Sequence, residues 1–125
     1  MRAFTHTAVL VALIALAEPA LAQAHFKHQE TDPFAKEIAM AVMFGDTQFA
    51  GKACPGLSVD GDAVLKTLYA HGMEMMDLEP EGVEEMWLRQ QALRAKEGPG
   101  IACPAILDAY GPHGTKISGL VVRKK

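Results

Sequence analysis

The chain has 125 residues, 50% of them hydrophobic and 22% charged, with a formal net charge of −3. That length suits one compact domain and is too short for two. The slightly acidic balance argues against nucleic acid or an anionic membrane surface as the main partner.

Residues 1–24 read as a secretory signal peptide. Arg2 opens the segment, Ala8 to Ala17 is apolar, Glu18-Pro19 breaks the run, and Ala20-Leu21-Ala22 and Ala22-Gln23-Ala24 are small-residue cleavage patterns. An apolar run of about ten residues is half of what a bilayer core requires, so an anchor is not expected. Cleavage is expected after Ala22 or Ala24, with residues 25–125 forming a single small helical domain in a bacterial periplasm or outside the cell. No later run is apolar enough to cross a membrane. Arg2 and Glu18 leave together, so the mature chain stays slightly acidic.

The mature terminus brings histidine forward. A cut after Ala22 exposes Gln23-Ala24-His25, a free amine with histidine third, which can wrap Cu(II) in square-planar nitrogen. A cut after Ala24 makes His25 terminal with His28 close by, a pair that can also hold copper.

The first helix is expected to begin at Asp32-Pro33, an N-cap followed by proline at the first helical position. It should run through FAKEIAMAVMF to Gly45, with Phe34, Ile38, Ala41 and Val42 on the buried face. GDTQFAGKACPG then reads as a loop delivering Cys54. The second helix is DGDAVLKTLYAHG, with Val64, Leu65, Leu68 and Tyr69 at helical spacing and Gly72 as the stop. Asp60-Gly61-Asp62 begins like a calcium loop but lacks the glycine and distal glutamate, so it reads as an N-cap.

HGMEMMDLEP follows and admits two readings. In one, His71 ends the second helix, where the dipole favours it, and Met73, Met75 and Met76 fold inwards to fill gaps in the connector. In the other, imidazole and thioether are the donors that Cu(I) selects, and His71, Met73, Met75 and Met76 join His25 and His28 as candidate ligands.

PEGVEEMWLRQQALRAKEG should form the third helix, with acids in its first turns and Arg94 and Lys96 in its last. Glu85 and Arg89 stand four apart in the favourable order. Val83, Met86, Trp87 and Leu93 form the expected buried stripe. The acidic run from Glu74 to Glu85, free of Lys and Arg, reads as a solvated helix start or as a surface for a basic partner. Gly98-Pro99-Gly100 is a break, and CPAILDAYG a fourth helix starting near Cys103 or Pro104 and stopping at Gly111. A GPHG turn puts His113 towards solvent. The β-branched content of TKISGLVVRKK then predicts an extended segment, whose partner the pattern does not identify.

Two cysteines in an exported domain point to a Cys54–Cys103 disulfide. They lie 49 positions apart. With no C-x-x-C, a redox pair is not expected, and the proline after each cysteine suits a structural staple. Catalytic patterns are missing as well. Ser58 and Ser118 are the only serines and neither lies in G-x-S-x-G, and there is no phosphate loop and no H-E-x-x-H.

The expected fold is mainly α: about four short helices, one long-range disulfide and a short extended C-terminal segment. The expected function is that of an exported, non-enzymatic protein without a cofactor, binding an envelope protein or a small ligand. The alternatives are a periplasmic copper carrier using His and Met ligands, and an acid-stress chaperone-like or inhibitor protein. The layout of a small secreted helical domain with one long disulfide resembles the acid-stress chaperones of the enterobacterial periplasm. That resemblance implies a binding role in which helices open and expose an apolar face, and no residue is carried across on it.

Overall fold

The computed structural model describes residues 33–125; the expected signal peptide, His25 and His28 lie outside them. The described chain is mainly helical: α1 Pro33–Ala53, β1 Leu57–Val59, α2 Gly61–Ala70, a 3-10 turn Met75–Leu78, α3 Glu81–Glu97, α4 Pro99–Tyr110 and β2 Val121–Arg123. Lys36–Lys125 cluster as one compact unit.

Helix α1 does not stop at Gly45. It continues through the segment expected to be a loop and ends at Ala53, where the chemistry for stopping is stronger. Proline at 55 disfavours helical backbone at Cys54, and Gly56 takes a left-handed φ of 81°. Gly45 stays helical and serves a different purpose. A Cβ there would lie 2.6 Å from the Trp87 carbonyl oxygen and 2.8 Å from Gln90 Cβ. The missing side chain is what lets α1 and α3 cross closely.

From Met40 to Ala50 every residue except half-buried Val42 and Gln48 is buried, so this part of α1 is the middle of the core. The expected inward face was set too early: Phe34 and Ile38 are exposed, and the buried set starts at Met40 and Ala41. Tyr69 is likewise exposed, because Val64 and Leu68 hold the inward face of α2 and a residue one further on is turned about 100° away.

Asp60 caps α2 as expected, accepting from the Ala63 amide at 3.1 Å. In α3 the stripe facing α1 is Val83, Trp87, Gln90 and Arg94, a regular helical spacing that turns polar halfway along. Leu93 lies off that stripe and is exposed.

The break before α4 is Gly98 alone. Its φ of 87° reverses the chain, its amide donates to the Arg94 carbonyl, and its own carbonyl accepts from Ile101 and Ala102. Pro99 takes the first helical position, so α4 starts four or five residues before the expected Cys103 or Pro104, and Pro104 sits inside it. The helix stops before Gly111, as expected. The following loop turns back on it, and the amides of Lys116, Ile117 and Leu120 donate to the Ala109 and Tyr110 carbonyls. These bonds satisfy the helix end.

The partner missing from the sequence reading is β1. Strand β2 pairs with it antiparallel, with Leu57 opposite Arg123, Ser58 opposite Val122 and Val59 opposite Val121. Cys54 and Cys103 form the disulfide, with 5.6 Å between their Cα atoms. Among the described residues no helix is long and apolar enough to cross a membrane.

Candidate functional site

The most demanding polar arrangement begins with Asp46, which has no exposed surface. Helix α1 places it in the core, and α3 supplies its partners. Arg94 Nε donates to Asp46 Oδ1 at 2.8 Å and Nη2 to Oδ2 at 3.2 Å, while Gln90 Nε2 donates to Oδ1 at 2.9 Å. Arg94 Nη1 also reaches Glu97 Oε1 at 3.0 Å. The hydrogen bond to Asp46 holds the guanidinium above its already high range, so Arg94 stays charged. Burial, helped by the negative field of Asp46, pushes the Tyr110 phenol up to about 12. Both carboxylate oxygens are occupied by the chain itself and closed to water. This group is therefore a tie between helices rather than a reactive centre.

A different region is open. Phe44, Gln48 and Met75 stand between two cavities on the α1 surface. One, of about 410 Å³, is bounded further by Val59, Val64 and Leu65 and is mostly apolar. The other, of about 270 Å³, reaches Leu78 and Trp87. Trp87 meets Phe44 edge to face, with ring centroids 5.1 Å apart, and its Nε1 donates to the Leu78 carbonyl at 3.0 Å. The indole is held in place as a wall. Asp62, Glu79 and Glu84 stand on the exposed margins, with Lys52 as the opposing charge. Met75, unbranched and 42% exposed, is the outer part of the partition.

Among the described residues, the candidate copper ligands His71 and Met75 line different cavities. His71 follows α2, and its Nδ1 lies 2.8 Å from the Thr67 carbonyl. Its ring lines a third cavity, of about 460 Å³, with Met40, Met43 and Tyr110. Met73 is buried in the core, as expected of all three connector methionines, whereas Met75 and Met76 are exposed, Met76 at 64%. The 3-10 turn, closed by the Glu74 amide donating to Asp77 Oδ2 at 2.7 Å, points successive side chains in different directions. Among the described residues no three His, Cys, Asp or Glu side chains gather where they could hold a metal ion. His113, at its exposed turn, lines a further cavity of about 450 Å³ with Asp108 and Arg123.

Sequence reasoning missed Asp46, Gln90 and Arg94 as a group. Asp46 falls in the segment whose pattern reads as a loop, and its partners lie 44 and 48 positions away. A signal was present in the continuous 83, 87, 90, 94 spacing, whose polar half requires a polar partner if the helix is to pack along its length. No protein-family model, curated protein or solved structure matches this chain.

Proposed function

We propose that the protein is exported to a periplasm, loses its signal peptide by a cut after Ala22 or Ala24, and acts there by binding rather than by catalysis. Its ligand is a peptide segment of an envelope protein, with apolar side chains flanked by Lys or Arg. The observation that carries this reading is the divided apolar cavity on α1, walled by Phe44 and Trp87 and margined by Asp62, Glu79 and Glu84 against Lys52. Apolar walls supply the affinity, and the three-to-one excess of acids selects basic flanks and speeds encounter. The Cys54–Cys103 disulfide and the Arg2 to Ala24 pattern support export.

Trp87, the sole tryptophan, is a built-in reporter. Two synthetic peptides of equal length, one alternating Leu with Lys and the other Leu with Glu, are titrated against protein purified from the periplasm. The Lys peptide should change Trp87 emission saturably, less so at high salt, and the Glu79→Lys/Glu84→Lys variant should weaken that response. An equal response to both peptides, or to neither, refutes the reading. The intact mass of the same preparation tests export: it should correspond to a chain beginning at Gln23 or His25.

A further inference from the structure

We propose that the cavity beneath His71 is a Cu(I) site, with His71 Nε2 and the thioether sulfurs of Met40 and Met43 as ligands. The backbone carbonyl of Thr67 can only accept, so the Nδ1 atom 2.8 Å from it carries the ring hydrogen. In the neutral imidazole this leaves the lone pair on Nε2, the arrangement in which a carbonyl orients a metal-binding histidine from behind. His71 lines the same cavity as Met40 and Met43, which α1 presents one turn apart. Both methionines are closed to water, at 1% and 0% exposure, and form the floor; half-buried His71 and exposed Lys116 form the mouth.

The wall chemistry selects the ion. Among the described residues no carboxylate lines the cavity, and the phenol there, Tyr110, keeps its proton. A hard divalent cation finds no oxyanion there, whereas a soft monocation finds one imidazole and two thioethers. Lys116 opposes any cation, and a monovalent one least; its long stem lets the ammonium turn to water when the site fills. The site is separate from the divided cavity that carries the peptide-binding reading, and from Met75 and Met76. Either inference can fail without the other.

The test uses the mature chain under anaerobic conditions. It is titrated with Cu(I) in the presence of a chromophoric Cu(I) chelator, and separately with redox-inert Ag(I) while the methionine methyl resonances are followed by NMR. One equivalent should be withheld from the chelator, and Ag(I) should shift the Met40 and Met43 methyls. Met40→Leu and Met43→Leu conserve volume and should leave the fold intact. Each should weaken binding by about 100-fold, as should His71→Gln. Lys116→Glu should tighten it several-fold. Failure to withhold Cu(I) overturns the proposal. So does retention that survives both methionine changes together, which would place the ion at the His25 terminus, and so does loss on changing Met75 and Met76 instead. Because Lys116→Glu gains affinity, it separates a true site from general damage to the core.

Discussion

A carboxylate with no exposed surface depends on its partners far more than they depend on it. Asp46 cannot reach water if Arg94 is removed, whereas Arg94, 16% exposed at its side chain, can turn outwards to Glu97 if Asp46 is neutralised. Arg94→Met should therefore cost about 3–5 kcal/mol. Asp46→Asn should cost less, about 1–3 kcal/mol, because its amide can still meet Gln90. Urea unfolding followed by Trp87 emission measures both, and equal costs would show that the asymmetry of exposure is irrelevant. Tyr110 offers a second reading of the same interior. Burial first, and then the field of Asp46, raise its phenol from 10.0 to about 12. In Tyr69→Phe it is the only tyrosine left, and phenolate absorbance should appear near pH 12 rather than near 10. A raised value means that the folded state keeps a proton the unfolded chain releases. The associated stability, on the order of 2 kcal/mol, is complete below pH 10 and disappears as the pH rises through about 12.

Between α1 and α3 the decisive atom is one that is missing. A Cβ at position 45 would press on the Trp87 carbonyl at 2.6 Å, and a backbone oxygen cannot swing aside. Gly45→Ala should raise the helix propensity of α1 yet destabilise the protein by about 1–3 kcal/mol, because the crossing must open. Thermal unfolding gives the sign directly: a higher midpoint would mean that the helices can separate without loss. The same glycine shows why the sequence reading was uneven. Capping chemistry is local, so Asp60 before α2, the acids at the start of α3 and the stop at Gly111 were all legible. The Glu85–Arg89 pair, 3.3 Å apart on the surface, was equally plain. Gly45, Pro104 and β1 were not, because each takes its meaning from a segment far along the chain: a crossing helix, an earlier helix start at Pro99, and a strand more than sixty residues later. The cavity under His71 was half legible for the same reason. Local spacing singled out the histidine and matched it with the methionines next to it, while the fold gives it those of α1.

For the molecule as a whole, the covalent link joins the end of α1 to the first half of α4 across 49 positions. In the chain-entropy view, closing that loop stabilises the fold by about 4 kcal/mol. Cys54→Ser should remove an amount of that order, measured by urea unfolding of the variant against the oxidised parent. A variant as stable as the parent would mean that residual structure already restrains the unfolded chain. The position of the link has a further effect under attack by proteases. Everything from β1 to the end of α3 lies inside the closed loop, including the exposed side chains of Lys66, Arg89 and Lys96. A single tryptic nick at any of the three opens the ring without releasing a piece. The nicked protein should migrate as one band without reductant and as two with it, and the halves, still tethered, can re-form their contacts without having to find each other in solution.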